Sequence, residues 1–151
     1  IVFDNAKAPR QLKVGSWEVV KEGSDVVVLA VGSMVQEALA AAEHSALDGL
    51  APQIVNARFV KPLDEEMLDE INDRYNTVVT IEEGTLEGGF GTAVLTALID
   101  RGFSGNVERL GIPDRFVEHG GRTGLLRQLG LTSDKIAESL SRLALSKVGV
   151  R

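Results

Sequence analysis

Hydrophobic and polar positions alternate between two rhythms along this chain. Val26 to Val31 (VVVLAV) is an unbroken apolar, β-branched run bounded by Gly23-Ser24-Asp25 and Gly32-Ser33. A run of that kind suits a strand covered on both faces, as in a parallel sheet. Ser33 then reads as a helix N-cap, with Gln36 three residues on completing a capping box. Val35, Ala38, Leu39, Ala42 and Ala46 keep helical spacing until Gly49. The unit repeats. Gln53 to Arg58 predicts a second buried strand, and Asp64 caps a helix with Met67, Leu68 and Ile71 on one face. Thr77 to Ile81 predicts a third strand, and the following helix groups Phe90, Val94, Leu95, Leu98 and Ile99. Asn106 to Leu110 predicts a weaker fourth strand, followed by a short helix over Thr123 to Leu129 that ends before Gly130. A last helix from about Thr132 carries Ile136, Leu140, Leu143 and Ala144. Ahead of all these, Ser16 to Lys21 reads as an extra edge strand.

Strands alternating with helices imply parallel βαβ crossovers, right-handed by default. The expected fold is α/β: a three-layer α/β/α sandwich on a mostly parallel sheet of four to five strands. Neither linker nor repeat interrupts residues 15–151, which read as one domain. Residues 1–14 read as an N-terminal extension or interdomain linker, and a start at Ile1 suggests a piece of a longer polypeptide.

Composition narrows the classes of function. The chain has 151 residues, 44% hydrophobic and 25% charged, which is a globular balance. A net charge of -6 argues against a nucleic-acid footprint and against anionic membranes. No apolar run approaches the roughly 20 residues needed to span a bilayer. With no Cys there is no disulfide, thiolate metal site or Cys nucleophile in the chain.

One stretch invites a chemical reading. Glu82 to Gly91, EEGTLEGGFG, places four glycines where a strand gives way to a helix. Backbone N–H groups at such a turn can bind phosphate. The stretch is neither GxGxxG nor GxxxxGK[ST], however, and Glu82, Glu83 and Glu87 would repel a phosphate. A tight turn with close helix–sheet approach is the expectation. Glu82 and Glu83, adjacent on an extended chain, face opposite ways and read as one turn-capping carboxylate and one solvated carboxylate. His44 reads as surface decoration, whereas His119 lies in a glycine-bearing loop where a side chain can be presented to a cleft. Two histidines without HExxH spacing make no zinc site, and no GxSxG elbow is present. Lys61-Pro62 serves as punctuation. Arg109, Arg115, Arg122 and Arg127 form a loose basic cluster that reads as a solvated face. From the residues alone no complete catalytic constellation emerges.

Several motifs carry a resemblance. Asn56 to Asp64 (NARFVKPLD), Val79 to Glu83 (VTIEE), Gly88 to Val94 (GGFGTAV), Leu110 to Gly120 (LGIPDRFVEHG) and Leu129 to Leu131 (LGL) stand in one order. Together with Gly32-Ser33-Met34-Val35, they resemble the signature of the 1-deoxy-D-xylulose-5-phosphate synthases, from about Gly15 to about Leu140. The resemblance implies a transketolase C-terminal-like third domain. The parent enzyme would condense pyruvate with glyceraldehyde 3-phosphate, with loss of carbon dioxide, to make 1-deoxyxylulose 5-phosphate for isoprenoid and thiamine synthesis. It also implies thiamine diphosphate and magnesium held by upstream domains, a homodimer, and a cytoplasmic location. No catalytic, cofactor-binding or metal residue falls in this chain on that reading. Glu83, Gly88, Gly89, Phe90, Gly91 and His119 become candidates for an interface with the upstream domains, with Phe90 as an inserted anchor. The equivalent domain of a transketolase or of a 2-oxoacid dehydrogenase beta subunit is the alternative, and a stand-alone flavodoxin-like module is another.

Overall fold

The computed structural model describes residues 11–45 and 49–148, with side chains as far as Leu143 apart from that of Ser45. Ala46 and the side chain of Ala144, both assigned above to helix stripes, lie outside the described residues, as do residues 1–10 of the expected extension. The elements are β1 (Glu18–Lys21), β2 (Val26–Ala30), α1 (Met34–Ser45), β3 (Pro52–Asn56), α2 (Glu65–Arg74), β4 (Thr77–Thr85), α3 (Phe90–Asp100), β5 (Asn106–Ile112), α4 (Arg122–Gln128) and α5 (Ser133–Val148).

The five strands form one sheet in the order β1-β3-β2-β4-β5. β1 is the antiparallel edge strand, and the other pairings are parallel, with Val28 between Ile54 and Val79. A central strand between two helix layers must be apolar on both faces. β2 meets that requirement, all five of its residues being buried. Val26, Val28, Ile54, Val79 and Ile81 face one layer, where Met34 and Ala38 of α1, Leu126 of α4, and Ile136 and Leu140 of α5 pack. Val27, Leu29, Val55 and Val78 face the other, against Leu68 and Ile71 of α2 and Val94 and Leu98 of α3. The fold is the α/β/α sandwich expected from the sequence.

Trp17 anchors the entry to the sheet. Its backbone N–H donates to Asp64 Oδ2 at 2.6 Å and its indole Nε1 to the Phe59 carbonyl at 2.9 Å. Its ring meets Phe90 edge-on, with centroids 5.8 Å apart. Asp64 also caps α2 as expected, accepting from Met67 N at 3.0 Å. A carboxylate there satisfies an otherwise unpaired donor and complements the helix dipole.

Three local expectations are corrected. β4 does not end at Ile81: it continues through Glu82, Glu83 and Gly84 to Thr85, with an irregularity between Ile81 and Thr85 as it follows β5. Ser33 precedes α1, but its hydroxyl does not cap that helix. It donates to Glu83 Oε2 at 2.6 Å, and the first turn is closed instead by Gln36 N donating to the Ser33 carbonyl. Ile99 is 60% exposed rather than part of the α3 core stripe, which runs Phe90, Val94, Leu98. One helical step of about 100° past Leu98 is enough to carry Ile99 off the sheet.

Candidate functional site

The chain leaves β2 for β3 on one side, then returns across it to β4 on the other. Open α/β sheets bind ligands or partners at such a switch point, outside the carboxyl ends of the strands. A cleft of about 630 Å³ opens there, with Ser33, Lys61, Glu83, Gly88, Gly89 and Ala93 in its wall.

The glycine-rich stretch forms one side of this cleft, and the structure shows what its glycines do. Glu82 is 6% exposed, and its carboxylate accepts from Phe90 N at 3.0 Å and Gly91 N at 2.8 Å. The first two free N–H groups of α3 are therefore satisfied by the chain's own anion, the partner that a helix N-terminus favours. Room for that carboxylate comes from missing side chains. A Cβ on Gly89 would lie 2.5 Å from Glu82 Oε2 and inside the Thr85 carbonyl, and one on Gly84 would lie 2.7 Å from Glu82 Oε2. A Cβ on Gly91 would lie 2.5 Å from Thr80 Oγ1. Gly88, at φ +71°, supplies the left-handed turn. The stretch is a tight turn with close helix–sheet approach, as expected, and a carboxylate cradle rather than a phosphate one.

Glu83 points the other way and is not simply solvated. Arg122, the first residue of α4, donates from Nε to Glu83 Oε1 at 2.8 Å and from Nη2 to Oε2 at 2.7 Å. Arg122 Nη2 also donates to Ser33 Oγ at 3.0 Å, so one forked pair ties α4, β4 and the start of α1 together. The Arg122 guanidinium holds the Glu83 carboxyl below its ordinary value, with the Ser33 hydroxyl adding to the effect against a partial desolvation.

The remaining candidates do not converge. Phe90 lines the cleft with little surface to offer, being 3% exposed and packed against Trp17 in this domain's own core. Gly91, the second residue of α3, is buried where that helix meets Thr80 and Arg109, whereas Glu83, Gly88 and Gly89 line the cleft. His119 is exposed on the loop between β5 and α4 and does not line it. His44 is exposed in the last turn of α1. The arginine cluster is dispersed: Arg109 Nη1 donates to the Leu86 carbonyl and Thr92 Oγ1, Arg122 is taken by Glu83, and Arg115 and Arg127 are exposed. The Ser33–Glu83–Arg122 group was missed by sequence reasoning, because its members lie 50 and 39 residues apart with no local signature.

A diphosphate does not fit the glycine turn. The first two N–H groups of α3 are already bonded to Glu82, and a second carboxylate, Glu83, stands in the same wall. Among the described residues, no three His, Asp or Glu side chains are grouped to hold a metal ion, and no helix is long and apolar enough to cross a membrane.

Comparison with known proteins adds to this geometry. Over 135 residues the chain is 44% identical to a protein of Geobacillus thermodenitrificans (strain NG80-2) named 1-deoxy-D-xylulose-5-phosphate synthase, covering 89% of this chain and 21% of that protein. A protein of the same name from Bacillus velezensis is 43% identical over 140 residues, covering 92% of this chain and 22% of that one. The chain thus spans about a fifth of the length of these relatives. A solved structure described as "Split gene transketolase, inactive beta4 tetramer" superimposes with a TM-score of 0.79 at 33% identity, covering 88% of this chain and 42% of that one. The family model "Transketolase, C-terminal domain" matches residues 15–136. With that match and the shared α/β/α architecture, the chain belongs to the transketolase C-terminal domain family.

Proposed function

We propose that this chain is the C-terminal domain of a 1-deoxy-D-xylulose-5-phosphate synthase. The parent enzyme is a thiamine-diphosphate-dependent transferase that joins pyruvate to glyceraldehyde 3-phosphate with loss of carbon dioxide. The observation that carries this reading is identity of 42–44% to enzymes of that name over 89–92% of the chain. Thiamine diphosphate supplies the carbon–carbon bond chemistry when bound. It and magnesium belong to other parts of the polypeptide, a view supported by the occupied helix terminus at Glu82.

On this reading residues 15–151 are a packing domain, entered through a linker at residues 1–14, within a cytoplasmic homodimer, and inactive alone. The split transketolase neighbour, described as inactive while a tetramer, supports assembly without activity. The interface with the upstream domains includes the cleft wall at Glu83, Gly88 and Gly89, with Gly91 supporting the turn from beneath and His119 on the adjoining loop. Apolar burial of roughly 25 cal/mol per Å2 would hold it, less the cost of ordering.

The test is product formation. The full-length polypeptide should convert pyruvate and glyceraldehyde 3-phosphate to 1-deoxyxylulose 5-phosphate, read by mass spectrometry. The isolated chain should make none, and should give no heat when titrated with thiamine diphosphate. Ketol transfer between sugar phosphates without pyruvate decarboxylation would replace this reading with transketolase. Stoichiometric heat from the isolated chain would bring the cofactor into this domain. For the interface, amide exchange of residues 84–92 should slow when the upstream domains are present, and equal exchange would remove that turn from it.

A further inference from the structure

The loop from Pro113 to Gly121 (PDRFVEHGG) connects β5 to α4 and carries the most exposed large apolar side chain among the described residues. Phe116 is 94% exposed, whereas Leu12, Val14, Val20, Val60 and Ile99 lie between 37% and 69%. The segment that carries the ring is tied to the fold on both sides of it. Arg115 N donates to the Pro113 carbonyl at 2.7 Å, and Val117 is half-buried in a hollow shared with Leu125, Leu126 and Leu129. Immediately after the loop, Arg122 is forked onto Glu83. Much of the ordering that binding normally demands has thus been met within the fold.

The charges beside the ring are equally distinctive. Arg58, Arg74, Arg101, Arg109, Arg122 and Arg142 each have a carboxylate, hydroxyl or carbonyl partner. Arg115 and Arg127 have none among the described residues, and Asp114 and Glu118 complete a rim of both signs. An aromatic ring beside the free Arg115 guanidinium is the composition of an interface centre rather than of ordinary surface.

We propose that Phe116 inserts into an apolar pocket on the part of the longer polypeptide outside this chain, with Arg115 pairing with a carboxylate on the rim of that pocket. This rests on the reading above that the chain is one domain of a longer protein, whose relatives are about four times its length. A second copy of this chain fits less well. Two copies each carrying a net charge of -6 repel.

Photocrosslinking in the full-length protein tests the contact without relying on activity. With benzoylphenylalanine in place of Phe116, irradiation and peptide mapping should give one dominant crosslink, to a stretch outside residues 1–151. The same probe at Ile99, exposed on α3, should give none. A dominant crosslink to residues 11–148 of a second copy, a scattered pattern, or no crosslink at position 116 would overturn the proposal. Phe116→Ala provides a second readout. In the full-length protein, amide exchange of residues 113–121 should quicken at least tenfold, and an unchanged rate would likewise overturn the contact. A protein that crosslinks as expected but forms no 1-deoxyxylulose 5-phosphate would retain the docking site and lose the assigned reaction.

Discussion

Two connections leave the carboxyl ends of neighbouring strands, β4 into α3 and β5 into α4, and both are rich in glycine. They reach opposite outcomes. Within the end of β4, Glu82 reaches over to bond the first N–H groups of α3, and Phe90 turns inward against Trp17. After β5, the Gly121 N-cap provides no side-chain cap for α4, and Phe116 turns outward. Glycine content does not distinguish the two loops. What does is whether a carboxylate on the preceding strand can reach the helix terminus, and on which side of the backbone the aromatic residue falls. The first connection is filled from within. The second leaves its aromatic ring and Arg115 exposed.

Substitutions should separate the two loops by the size of their effect on the folding of this chain. Gly89→Ala should cost most, about 3 kcal/mol in urea unfolding, because its methyl group meets the backbone carbonyl of Thr85 and the Glu82 carboxylate together. A loss under about 1 kcal/mol would mean the turn is looser than described. Glu82→Ala should follow at about 2 kcal/mol, since two donors at a buried helix start lose a charged acceptor. Its thermal midpoint should not recover in phosphate buffer if the cradle fits only a carboxylate.

Glu83→Gln should cost less than half as much as Glu82→Ala, because the pair with Arg122 is partly open to water. Its signature is pH dependence. Arg122 depresses the folded-state value of Glu83, so the pair's contribution is complete above the ordinary glutamate value of 4.5 and is lost as pH falls through the folded value. The stability gap between wild type and Glu83→Gln should be flat at neutral pH and close below 4.5, and a gap that widens on acidification would contradict the pairing. Phe116→Ala should change stability least, by no more than about 0.5 kcal/mol, because the ring contributes almost nothing to this domain's own core. A larger loss would show that the loop is packed after all.

The sheet and its helices were legible because each buried strand is a short apolar run and each helix keeps its stripe. Asp64 was legible because the whole cap lies within four residues. The errors share one cause, which is contact between residues remote in sequence. Ser33 carries every local mark of a cap, yet its hydroxyl is engaged by Glu83 and by Arg122, 89 residues away. Phe90 looks free between glycines until Trp17 arrives from before the first strand. β4 appears to end at its first glutamate because a charge seldom continues a buried strand, and Glu82 is tolerated only because α3 supplies two donors. The turn was readable as tight from its glycines. That they enclose a carboxylate was not.

Trp17 is the chain's only tryptophan, 6% exposed and stitched at once to the loop after β3, the cap of α2 and the first residue of α3. The domain therefore contains its own fluorophore at the place where the edge strand enters the sheet. Peeling away of β1 would wet the indole and shift its emission to longer wavelength while the far-ultraviolet helix signal stayed constant. Global unfolding would move both together. Light from one side chain can thus distinguish fraying at the chain's entry from loss of the whole fold, with no label added.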